Sequence, residues 1–202
     1  MTEIGRPQNA PPFHAERLLL LATGSLSATF LPYWLNWLRL SYHDLELRVV
    51  LTRSAERFVS RQSIAAIIGK PVPLDVWEDT PEPGSPHVDY AMWPDTVLVY
   101  PATYHFLSRF ANGFGDTPML LALQCTSALI GIAPALPPGA TDSYAYRQNR
   151  AAIEARPNVV VVDPVPTLSA HTRERDAMAS APITTLIERV AMLRADREKE
   201  SP

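Results

Sequence analysis

At 202 residues, 47% of them hydrophobic and 19% charged, the chain is long enough to bury a substantial core and has the balance of one globular domain. A net charge of −3 argues against a general nucleic-acid binder, and a single cysteine, Cys125, excludes an intrachain disulfide framework and a cysteine-built zinc cluster. Such cysteine usage fits a reducing, cytoplasmic setting.

In chain order, residues 1–16 read as a loose tail and 17–202 as the domain. Residues 18–22 form a short apolar run of the kind buried on both faces of a sheet. A Gly/Ser turn at 23–27 and an aromatic-rich helix at 28–40 come next. Residues 18–38 carry no charge, which raises a transmembrane or signal reading on length. Thr23, Gly24, Ser25, Ser27, Thr29, Pro32 and Asn36 interrupt that run, so strand, loop and helix account for it better. The second strand is 46–52, with Ser54 placed to cap the next helix and Phe58 to be buried; a third strand is expected at 72–77. A helical turn spans 87–93, a fourth strand 96–100, and helices 103–111 and 118–126. Cys125 is expected on a buried helix face as a small core hydrophobe. Strands at 128–133 and 158–162 flank a helix at 143–155, and an amphipathic helix at 183–197 ends the pattern. Most of the 20 prolines gather in the tail, at 71–101 and at 134–166, marking loops and rigid turns.

Strands alternating with helices predict a single α/β domain, a doubly wound parallel sheet with right-handed crossovers. Ligands in such folds sit beyond the carboxyl ends of strands. Three loops lie there: 23–27, 52–54 and 101–105. In the first, Gly24 permits close backbone approach, while Ser25 and Ser27 supply donors to a phosphate. Alone, that loop is equally a tight turn, and it is neither the GxGxxG nor the Walker pattern. Thr52, Ser54 and Phe58 border the second loop; Pro101, Ala102, Thr103, Tyr104 and His105 form the third. The five histidines include no HxxxH pair, so no metal site is expected.

The order GS-x-S (24–27), LT-x-SA (51–55), His87, and PATYHFLSRFANG (101–113) resembles the homo-oligomeric flavin-containing cysteine decarboxylases, whose signature is PASANT with a small-Asn/His-Gly ending. Pro101, Ala102 and Thr103 fit its start, and Ala111, Asn112 and Gly113 its end. The resemblance implies a Rossmann-like flavoprotein that binds FMN, with FAD the alternative, between subunits of a trimer that can assemble further into a dodecamer. The nearest relatives in character decarboxylate the C-terminal cysteine of a ribosomal precursor peptide in lantibiotic biosynthesis. Gly24, Ser25, Ser27, Thr52, Ser54, Phe58 and Pro101–Tyr104 are then the cofactor contacts. His87 and His105 are the catalytic candidates. His87 takes the thiol proton, hydride leaves Cβ for the flavin, and the resulting thioaldehyde accepts electrons as CO₂ departs, giving an enethiol.

The chain departs from that pattern in places. His105 stands where the family has Asn, and Phe106 where it has Thr. Of the motif PxMNxxMW only Pro134 is retained; Leu136 and Pro137 occupy the Met and Asn positions. Pro137 removes the amide that grips a substrate carboxylate in relatives acting on phosphopantothenoylcysteine. No cysteine is placed in the flap those relatives use for reduction, which favours the oxidative reaction. Pro134 and Leu136 are expected near substrate, and 164–182 as a clamp bringing Arg173 or Arg175 to its carboxylate, although a solvated loop fits that segment as well. Alternatives on the same fold are a phosphopantothenoylcysteine decarboxylase, a flavin prenyltransferase, and a non-catalytic flavin-binding regulatory subunit. No membrane or nucleic-acid partner is expected.

Overall fold

A computed structural model describes residues 10–78 and 84–200. Five parallel strands form the sheet: β1 (Arg17–Ala22), β2 (Glu46–Leu51), β3 (Thr96–Thr103), β4 (Leu129–Ala135) and β5 (Val159–Val161), in the order β2-β1-β3-β4-β5. The helices are α1 (Leu31–Ser41), α2 (Arg61–Ile68), α3 (Pro86–Met92), α4 (Tyr104–Ala111), α5 (Pro118–Cys125), α6 (Tyr144–Glu154) and α7 (Ile183–Glu200).

Two apolar layers sandwich the sheet, and the two-residue period of a strand assigns side chains to each. From β1, Leu18, Leu20 and Ala22 join one layer with Leu31, Leu35 and Leu38 of α1, Ile64 of α2 and Ile183, Leu186 and Val190 of α7. Leu19 and Leu21 join the other with Phe106 and Phe110 of α4, Met119 and Leu123 of α5 and Ile153 of α6. Leu18 to Leu21 are fully buried. That burial is worth about 1.5–3 kcal/mol per side chain, so covering both faces outweighs any helical tendency of the leucine run. At Gly131 a Cβ would fall 2.6 Å from Val190 and 2.8 Å from Leu98, so glycine seats α7 tightly against β4.

The charge-free run at 18–38 becomes β1, a 3₁₀ turn (Leu26–Phe30) and most of α1. Among the described residues no helix is long and apolar enough to cross a membrane. Residues 10–16, expected to be loose, lie on the core: Phe13 meets Tyr42 edge-on at 5.4 Å, and the Tyr42 hydroxyl donates to the Pro11 carbonyl at 2.7 Å. The rest of the expected tail, residues 1–9, lies outside the described residues.

Three expectations are corrected. Residues 72–77 form no strand; Leu74 makes one isolated parallel bridge to Leu51. Pro71 and Pro73 lack amide donors, so the ladder stops at a single rung. Cys125 is exposed, because it closes α5 on the side turned from the sheet. Phe58, expected buried, is 37% exposed. The 164–182 segment adds an antiparallel hairpin, β6 (Val165–Thr167) and β7 (Ala177–Ala179). Leu136 and Met178 exchange backbone bonds of 2.8 and 3.1 Å, which fixes the hairpin to the end of β4.

Candidate active site

The strand order reverses between β1 and β3, and the loops leaving their carboxyl ends diverge to open a crevice. One side chain joins the two loops. Buried Thr23 donates from Oγ1 to the Pro101 carbonyl at 2.8 Å and accepts from the Thr103 amide at 2.8 Å. The Thr23 amide also donates to Pro101 O at 3.1 Å. The Tyr100–Pro101 peptide bond within this junction is cis. Gly24 draws in the loop after β2, since a Cβ there would lie 2.5 Å from Ser54 Cβ and 2.7 Å from its carbonyl carbon.

Beyond this junction lies a cleft of about 490 Å³. Its walls come from the β1 loop (Gly24, Ser25, Leu26, Ser27, Phe30), the start of α4 (Thr103, Tyr104, His105), the end of β4 (Ala135, Leu136, Pro137) and the hairpin (Thr167–His171, Ala177–Ala179). That volume and mixed lining suit a small-molecule or cofactor site. Three hydroxyls each accept from a backbone amide: Ser25 from Ser27, Ser27 from Ser180, and Thr103 from Phe106. Each hydroxyl proton is therefore left to donate to a bound oxygen. Among the described residues the lining has no Lys or Arg, so an anion here would be met by hydroxyls, backbone N–H groups and imidazoles. Leu26, Phe30, Leu136, Leu168 and Met178 supply apolar surface for a flat ring. A flavin's phosphate, polyol and ring system fits this set of groups.

Of the expected contacts, Gly24, Ser25, Ser27, Thr103, Tyr104, His105 and Leu136 line the cleft. Thr52 and Ser54 lie behind it, hydrogen-bonded to each other at 3.0 Å, with Ser54 against Gly24. Pro101, Ala102 and Pro134 are buried in their strands and support the walls, and Phe58 is not part of the lining. Arg173 and Arg175 are exposed on the hairpin turn and do not line the cleft; His171 does. Residues read only from the structure include Phe30, Thr167, Leu168, His171 and Met178. A signal for Thr167, Leu168 and Met178 lay in the two short segments flanking the charged turn HTRERD, which itself begins at His171.

His87 stands at the start of α3, outside the cleft lining. Its ring meets Trp77 at 5.4 Å, and its Nδ1 is shielded from solvent with no partner among the described residues. The Trp77 indole N–H donates to the Asp116 carbonyl at 3.0 Å. The Asp116 carboxylate pairs with Arg109 at 2.5 Å, and that hydrogen bond holds its pKa below the ordinary value, with His105 contributing. Nearby, Asp75 accepts from the Met119 amide at 2.9 Å at the start of α5. Burial raises its pKa above the ordinary value, against the opposing pull of Met119, Thr117 and Arg109. Among the described residues no cluster of His, Cys, Asp or Glu could hold a metal ion.

The flavoprotein family profile matches residues 10–194. The chain belongs to that family. It is 31% identical over 166 residues to a cypemycin cysteine dehydrogenase (decarboxylating) from a Streptomyces species, covering 82% of this chain and 86% of the relative. The crystal structure of the cypemycin decarboxylase CypD superposes with a TM-score of 0.76 at 26% identity, covering 93% of this chain and 98% of that one. That of the FMN-dependent cysteine decarboxylase SpaF gives a TM-score of 0.70 at 26% identity, covering 87% and 97%. Family and relatives together fit a flavin-containing cysteine decarboxylase.

Proposed function

We propose that this protein binds FMN in the cleft and oxidatively decarboxylates the C-terminal cysteine of a ribosomal precursor peptide. The observation that carries this reading is the similarity, over most of both chains, to a decarboxylating cysteine dehydrogenase. The cleft supports it, being apolar enough for a ring and rich in unspent hydroxyl donors.

Ser25, Ser27 and Thr103 hold the phosphate and polyol, and Leu26, Phe30 and Leu136 flank the ring. When bound, the flavin supplies a two-electron acceptor for the hydride leaving the cysteine Cβ. His87 removes the thiol proton, since a thiolate releases hydride from the adjacent carbon far more readily than a thiol. Leu168 and Met178 cover the peptide end and exclude water. The product is an aminoenethiol, which can add to a dehydroamino acid and close an aminovinyl-cysteine ring, as in lantibiotics.

His87 serves the cleft of a second copy. It lies outside its own cleft, while Leu26, Phe30 and Leu168 are each more than half exposed around the rim, an apolar surface suited to burial by self-association. A trimer, or a dodecamer assembled from trimers, satisfies both features.

The test is mass spectrometry of a peptide ending in cysteine, incubated with the purified protein. Loss of about 46 Da (CO₂ and two hydrogens) alongside a yellow flavin spectrum is the expected result. A yellow protein that leaves such peptides intact would overturn the reading.

A further inference from the structure

We propose that His171, at the tip of the β6–β7 hairpin, holds the terminal carboxylate of the peptide; this assignment rests on the peptidyl-cysteine reading above. An ionised carboxylate entering an apolar cleft loses hydration and needs a strong donor in exchange. At the end of β4, Pro137 lines the cleft and offers no side-chain donor. Among the described residues, the only nitrogen-bearing side chains in the lining are His105 and His171.

These two differ in their placement. His105 sits in the first turn of α4, at the end of β3, whereas His171 stands on the hairpin. The His171 imidazole is exposed and has no partner among the described residues. Its own turn carries Arg173, Glu174, Arg175 and Asp176; Asp176 accepts from Thr172 Oγ1 at 2.9 Å.

The backbone beneath His171 is held in place. Ser169, only 6% exposed, accepts at Oγ from the amides of His171 (3.3 Å) and Thr172 (3.2 Å). Its amide donates to Glu174 O at 2.8 Å, and its carbonyl accepts from Arg173 N at 3.0 Å. With Arg173 at φ 64°, this turn puts His171 on the cleft wall and leaves both arginines off it. The hairpin therefore carries the anion-binding group that the end of β4 lacks.

The test uses the flavin-loaded protein and a peptide ending in serine, which cannot be oxidised, prepared as the free acid and as the amide. Binding is read by calorimetry. Wild type is expected to bind the acid about tenfold more tightly than the amide. His171→Ala should abolish that preference and leave amide binding unchanged, and His171→Arg should restore it. His105→Gln should keep it. If His171→Ala retains the preference, or weakens both forms equally, the assignment fails while the peptide reading stands. If wild type binds neither form, the peptide reading falls and takes the assignment with it.

Discussion

A Cβ on Gly24 would stand 2.5 Å from the Cβ of Ser54, so the loops after β1 and β2 touch at a point that admits only glycine. The close approach is made to protein, behind the cleft, and it shapes the wall that Ser25 and Ser27 present. Gly24→Ala must push the loops apart. Overpacking of this kind costs about 1–3 kcal/mol. The variant is expected to melt at a lower temperature and to purify with less flavin, read from the ratio of visible to ultraviolet absorbance. Wild-type flavin content would show that the contact does not shape the site.

Thr23→Val deletes one hydroxyl that makes two bonds, to Pro101 O and from the Thr103 amide. The replacement is close in shape, but it leaves a buried carbonyl and an amide less satisfied. The expected loss is about 1–3 kcal/mol, seen as a lower urea midpoint at unchanged m-value. Flavin affinity should fall too, because Thr103 would no longer be held to the β1 loop.

His87→Asn should lower kcat by roughly 10²–10⁴ while flavin content and melting temperature stay at wild-type values. Co-expression with the Gly24→Ala chain tests whether sites are shared. Recovery of activity above either variant alone is expected if His87 of one copy serves the flavin of another. Without recovery, His87 acts within its own chain.

Asp75 supplies a pH signature. Burial raises its folded pKa above the ordinary value of 3.8, so the folded state holds the proton more tightly than the unfolded chain does. Stability from this group is fully present below the unfolded value and is lost as pH rises through the raised folded value. Asp75→Asn keeps an oxygen to accept from Met119 and cannot ionise. Melting temperatures measured from about pH 4 to about pH 8 should show the wild-type decline reduced in the variant. Identical slopes would remove Asp75 as its source.

The five strands of the parallel sheet, most of the helices and the two loops bearing Ser25, Ser27 and Thr103 were legible in the sequence, because they obey local rules. Apolar runs bury on both sheet faces and ligands collect at strand carboxyl ends, whereas Ser54, expected to cap a helix, makes no side-chain cap bond. The PATYHF segment and His87 pointed toward a flavin protein before any contact was visible. Local rules do not reach contacts between distant segments. The Gly24–Ser54 approach, the Thr23 clamp on residues nearly 80 positions away, and the fastening of Met178 to Leu136 exist only once the sheet is assembled. The same holds for the wall built by the hairpin. Arginine was the natural sequence choice for a carboxylate partner, yet the Ser169 turn puts His171 on the cleft and Arg173 and Arg175 outside it. Sequence spacing sets which residues occupy a turn; the turn's hydrogen bonds and its attachment to β4 decide which of them faces the cleft.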